Sequence, residues 1–158
     1  MRSFLILAFA AGLSSHAWAA SDGVRPDPIL TPGAVRTTSR NDICSTKTGT
    51  IRNVSGSLKL QVYRRYGMSG PKAAFPGTDL LPPYEVDHLV SLELGGSNDI
   101  TNLWPEAFNQ SLGAHEKDRL EQRLHRMICA ERISVEEAQH AIATDWVAAY
   151  RKYVGGAE

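Results

Sequence analysis

Asp87 and His88 stand side by side in the run P-Y-E-V-D-H-L-V-S-L-E-L-G-G-S-N-D-I-T-N-L-W, residues 83–104. An imidazole nitrogen takes a proton from water near neutral pH, and a carboxylate offers a hard oxygen to a divalent ion. A metal-assisted hydrolytic site can be built from such a pair, a tight turn at Gly95-Gly96 and the polar return through Asn98 and Asn102. Adjacent residues on a regular strand point to opposite faces, so the strand must end at this pair or a bulge must re-aim one side chain. The same residues also suit a structural role, with Asp87 capping the turn and His88 a partly buried, hydrogen-bonded histidine.

The elements that must position the pair follow from periodicity. Tyr84 to Leu94 alternates imperfectly and reads as extended. Gly95-Gly96 suits a hairpin-like turn, and Ile100, Leu103 and Trp104 return to the core before Pro105 blocks further strand pairing. Leu120, Leu124 and Ile128 then form the stripe of an amphipathic helix that starts near Gly113 or Ala114. Ser134 with Glu137 reads as the capping box of a last helix, whose apolar positions run in helical period from Val135 to Tyr153. Upstream, Ser57 reads as the cap of a short helix carrying Leu58, Val62 and Tyr66, which Gly67 stops. The run T-G-T-I-R-N-V (48–54) reads as a short strand or an extended connection. Asp118, Glu121 and His125 form a polar stripe that a solvated helix face explains.

The chain has 158 residues, with 17 Lys and Arg against 17 Asp and Glu. This balance excludes a strong overall positive field of the kind that drives tight, non-specific nucleic-acid binding, though not a local basic surface. Residues 1–19 combine Arg2, an apolar run and the small-x-small Ala17-Trp18-Ala19, the pattern of a signal peptide cut near Ala19. The run is too short for an ordinary membrane span. Residues 20–42 are rich in Pro, Ser, Thr and Gly and read as a flexible, extended or partly disordered arm. Anchored structure is expected from Ile43 and Cys44 onward. Export to a periplasmic or extracellular setting makes Cys44 and Cys129 a disulfide pair, with about 3–5 kcal/mol of unfolded-state restriction. With no histidine pair nearby in the sequence, the two cysteines make a poor zinc site.

The stretch Y-E-V-D-H-L-V-S-L-E-L-G-G-S-N-D-I-T-N-L-W-P, followed by A-H-E-K-D-R-L-E-Q-R-L-H-R-M-I-C and A-Q-H-A-I-A-T-D-W-V-A-A-Y, resembles the HNH endonuclease superfamily. In particular it is similar to small exported bacterial HNH-endonuclease-like proteins, over residues 43–154. The resemblance implies an α+β fold with a ββα-metal (His-Me finger) core of β-hairpin and helix, flanked by further α-helices. It also implies Asp87 as a metal ligand, His88 as the general base, and Asn102 as the amide that braces the hairpin and orients His88. The family's further ligand, on the following helix, is expected where this chain has Gln110 and Ser111. His115 is the favoured substitute if a short insertion is assumed, with Asn109 the alternative. Lys117 and Arg119 are candidates to hold a neighbouring phosphate, and each also suits a solvated helix face. The function so implied is that of a secreted, monomeric endonuclease using one divalent ion, Mg or Mn, or else Zn or Ni, on DNA or RNA with little sequence specificity. The alternative is a non-catalytic exported module of the same fold with a structural or nucleic-acid-binding role.

Overall fold

Fully buried Leu120, Leu124 and Ile128 seat the long helix α4 (Ala114–Cys129) in the core, as their spacing predicts. A computed structural model of the chain describes residues 24–77, 83–108 and 111–155. The expected signal peptide and Asn109 lie outside the described residues. The architecture is mixed: α1 (Arg40–Ser45), α2 (Thr48–Ile51), α3 (Gly56–Arg65), β1 (Tyr84–His88), β2 (Leu103–Ala107), α4, then α5 (Val135–Tyr153). β1 and β2 form a two-stranded antiparallel sheet, and α4 and α5 pack against each other. No helix among the described residues is long and apolar enough to cross a membrane.

The hairpin register pairs Asp87 with Trp104 and Glu85 with Glu106. Pro105 lies inside β2 opposite Val86, where sequence reasoning ends the pairing. The ladder explains this difference. Leu89 N–H donates to Asn102 C=O and Phe108 N–H to Pro83 C=O, so inward-pointing amides fall at even positions of β2. Pro105 occupies an outward-pointing position and removes no bond. Between the strands the chain makes two short 3-10 turns, Leu92–Leu94 and Ile100–Asn102, rather than a simple hairpin turn. Gly95 sits at φ 86°, and a Cβ on Gly96 would lie 1.8 Å from Val90 O. The glycine pair is required because the loop folds back against its own backbone.

Several local expectations shift. The cap of α3 is Ser55, whose Oγ accepts from Leu58 N–H, and residues 48–51 form one helical turn rather than a strand. Ser134 does cap α5 by accepting from Glu137 N–H. The Glu137 carboxylate instead accepts the Tyr153 hydroxyl hydrogen. That contact exists because α5 breaks at Asp145 (φ −158°, ψ 93°), whose Oδ1 caps the second half through Val147 and Ala148 N–H.

Anchored structure begins well before Ile43. Val24 C=O accepts from Trp146 Nε1, Arg25 pairs with Asp145, Gly33 N–H donates to Thr101 C=O, and Val35 bridges to Gly96. The described part of the arm is docked, with a turn at residues 28–30, irregular backbone over 31–39 and the start of α1 at Arg40, and the backbone of Gly33, Arg36 and Thr37 is satisfied by the loop it covers. Cys44 and Cys129 form a disulfide that ties α1 to the end of α4.

Candidate active site at the end of the hairpin

Asp87 and His88 occupy the last two positions of β1, where the pleat sends them to different sides. His88 is 1% exposed. Its Nε2 lies 3.1 Å from Asn98 Oδ1. The orientation of that amide is set by its other partners: Asn98 Nδ2 donates to Ile51 C=O at 2.8 Å, and Oδ1 accepts from Asn53 N–H at 3.2 Å. Oδ1 therefore accepts from His88, Nε2 is the donor, and the lone pair of the neutral ring is on Nδ1. Nδ1 has no hydrogen-bond partner and lies 3.6 Å from Asp87 Oδ1.

Asn102 is completely buried and braces the loop from inside. Its Oδ1 accepts from Val90 N–H, and its Nδ2 donates to Val90 C=O and Ser97 C=O. The resemblance makes Asn102 the amide that braces the hairpin and orients His88; the ring itself is bonded by Asn98, four residues earlier. Two successive 3-10 turns swing Asn98 outward to the ring, which spacing along the chain does not reveal.

On the other face of β1 the surroundings of Asp87 are unlike those expected. Lys117 is 0% exposed and reaches from α4 into a ring of acceptors. Its Nζ lies 2.9 Å from Asp87 Oδ2, 3.1 Å from His88 C=O and 3.5 Å from Glu106 Oε2, and it also bonds Glu121. Lys117 is thus a buried cation rather than a residue free to hold a phosphate at the surface. Arg119 is exposed, with its guanidinium 5.9 Å from the Tyr150 ring centre. His115 is exposed and stacks edge-on against Phe108. Arg52 and Glu106, which the sequence reading does not single out, surround the pair together with Asn98 and Glu121. Only the acidity of Glu106 two residues into the return strand from Trp104 hinted at a second inward carboxylate.

Burial works against ionisation throughout this cluster, and the charge of Lys117 decides which carboxylate keeps its charge. Asp87 is pushed upward by burial, but the attraction of the Lys117 ammonium and its hydrogen bond to the carboxylate hold it far below the ordinary carboxylate range. Glu121 is raised to about 8 by burial, which the pull of Lys117 does not offset. Glu106 is raised well above its usual value for the same reason. One ammonium balanced by one carboxylate, with two neutral acids beside it, leaves little net buried charge.

These shifts carry opposite pH signs. Glu121 binds its proton more tightly folded than unfolded, so its stabilising share is full below 4.5 and is lost as pH rises through about 8. Asp87 contributes above 3.8, and its share is lost as pH falls below that value. Thermal melts should therefore show highest stability in mildly acidic buffer, with a decline toward alkaline pH on the order of 1 kcal/mol per pH unit. Glu121→Gln should flatten the alkaline decline. A wild-type profile that rises toward pH 8 would contradict this charge assignment.

No family model, curated protein or solved structure matches this chain. The functional reading accordingly rests on these side chains.

The fit to a divalent ion is poor at Asp87. The surrounding carboxylates spread around an ammonium, and His115 packs against Phe108 instead of Lys117 or Asp87. Among the described residues, ligand atoms of three His, Cys, Asp or Glu side chains converge within 4.8 Å at Cys44, His125 and Cys129. There both sulfurs are joined to each other, so neither is a free thiolate ligand. His125 is drawn to this corner and Glu121 to Lys117, so the stripe Asp118, Glu121 and His125 is not one polar cluster.

Proposed function

We propose that the chain is a nuclease of the HNH type, hydrolysing phosphodiester bonds in nucleic acid with His88 as general base. The observation that carries this reading is the unpartnered, buried Nδ1 of His88 beside a carboxylate held ionised, with Nε2 pinned as the donor. Orphaned buried acceptors are rare in folded proteins and call for a reason. The order β1, β2, α4, with the Asp-His pair at the end of the first strand and Lys117 of the helix reaching it, also supports a His-Me finger core.

In this mechanism Nδ1 takes a proton from water as the water oxygen bonds to phosphorus. The bond to the leaving oxygen breaks, and that oxygen takes a proton from solvent. Asp87 stabilises the imidazolium formed, and Lys117 keeps Asp87 charged by holding it from behind. Arg52, 55% exposed and 3.6 Å from Asp87 Oδ1, is the cation at the mouth of the site. Its guanidinium suits the non-bridging oxygens of the phosphate. The backbone of Ile51 and Asn53 fixes the Asn98 amide that holds Nε2, and the same segment carries Arg52. A divalent ion at Asp87 would have to displace Lys117, and no step is assigned to one.

The second reading, a non-catalytic module of the same fold, is favoured by the burial of His88 and by the occupied cluster around Lys117. Plasmid DNA incubated with purified protein in Mg, Mn, Zn, Ni or EDTA separates the two. His88→Ala should lower cleavage by about 10²–10⁴-fold while the melting transition is retained. Equal cleavage by this variant would remove the role of His88. No cleavage by folded wild-type protein under any of these conditions would put the binding module first.

A further inference from the structure

A second concave site lies on the side of α4 turned away from Lys117 and Glu121. Arg119, Arg123 and Arg126 recur at intervals of four and three, which places them on one stripe of the helix. With Gln122, Tyr153 and Val154 they line a cavity of about 380 Å³ between α4 and the second half of α5. The break at Asp145 creates this wall by turning Tyr153 back toward Glu137. Tyr153 already donates its hydroxyl hydrogen to Glu137, so the polar groups still free for a ligand are those of the arginines and Gln122.

The charge here is uncompensated. Among the described residues no carboxylate lies within 4.0 Å of any of the three guanidinium groups. Arg123 is half-buried, and its Nε is wholly covered with no hydrogen-bond partner. Like charges three and four residues apart disfavour a helix, and a buried donor without an acceptor adds to that cost. On a chain with equal numbers of acidic and basic residues, this local excess stands out.

We propose that this cavity binds a phosphoryl group. Three guanidinium forks around one hollow offer more donors than a two-oxygen, singly charged carboxylate can accept, whereas a phosphoryl group presents three oxygens and up to two charges. Arg123, the least exposed of the three, takes one oxygen with its guanidinium, and a small turn of that fork gives its unpartnered Nε an acceptor. Arg119 and Arg126 close on the others from the rim. The phosphoryl group is either free phosphate or a phosphate of a nucleic-acid strand. The site is independent of the chemistry proposed for His88, because different residues on the opposite side of α4 make it.

Calorimetric titration at low salt tests this with inorganic phosphate as the probe, acetate as a singly charged control, and a short oligothymidine as competitor. Phosphate should bind saturably where acetate does not, and Arg123→Gln should weaken it by about tenfold or more. The double variant Arg119→Gln, Arg126→Gln changes only exposed side chains and should weaken phosphate similarly with an unchanged melting temperature. Displacement of phosphate by the oligonucleotide assigns the site to backbone phosphates, and phosphate binding without displacement assigns it to free phosphate. Absence of saturable phosphate binding by wild-type protein, or wild-type affinity in folded Arg123→Gln or in the double variant, overturns the proposal.

Discussion

Lys117→Met should destabilise the protein by about 3–5 kcal/mol, the usual cost of removing one partner from a buried ion pair. Methionine retains most of the stem volume, so the loss reports the ammonium rather than packing. Without it, Asp87 keeps only the solvent-facing guanidinium of Arg52, and its charge is left largely uncompensated. Glu106 and Glu121 suffer less, because both are already biased toward their neutral forms. His88 C=O also loses a donor. Urea unfolding of the single variant, Asp87→Asn and the double variant provides the measurement. The double variant should recover a large part of the loss, since an amide needs no counter-charge. A loss below about 1 kcal/mol in the single variant would mean that water or another cation serves the same acids equally well. Magnesium that restored the variant's midpoint without affecting wild type would identify the cluster as an ion site in which lysine is the resident cation.

The second large effect concerns the disulfide. Cys44 and Cys129 are 85 residues apart in sequence, so the bond closes most of the described chain into one loop. In the chain-entropy description a loop of this length corresponds to about 4–5 kcal/mol. Cys44→Ser with Cys129→Ser should lower the denaturation midpoint accordingly, and wild-type protein under dithiothreitol should follow it. The bond holds α1 against the end of α4, while the loop between the strands packs on both α1 and α4. Its loss should therefore loosen the support of His88 as well as the global fold. Hydrogen exchange would show this as faster exchange at Val90 and Leu89 amides than at Leu124. A change of less than about 1 kcal/mol would mean that the unfolded chain is already compact without the bond.

Much of the framework is legible in the residues. A stripe such as Leu120, Leu124 and Ile128 has one stable resting place, on a core, whatever the rest of the chain does. Ser134 announces a helix start because its hydroxyl serves the exposed amide of Glu137 three residues later. Two cysteines allow only one pairing. The Asp-His pair is recognisable at a strand end because a polar pair there interrupts an apolar alternation. The glycine pair marks a place where side chains do not fit, although the reason, contact with Val90 and Thr37, involves residues away from the turn.

What required the tertiary structure is the set of partners around that pair. Periodicity places Lys117 on a helix, and a lysine on a helix reads as solvated because burying an ammonium without a counter-charge is prohibitive. Its counter-charge, Asp87, comes from β1, its further acid partners come from β2 and from the next turn of α4, and the three converge on it only in the folded chain. The same holds for Asn98, which reaches His88 by way of two 3-10 turns, and for Asp145, an unremarkable helical position until its carboxylate caps a new helix. Sequence by itself determined the three longer helices α3, α4 and α5, where the Asp-His pair sits and which cysteines join. Only the folded arrangement decided which atom of His88 is left without a partner and which cation stands beside Asp87, because a charge is buried or exposed according to neighbours that are distant along the chain.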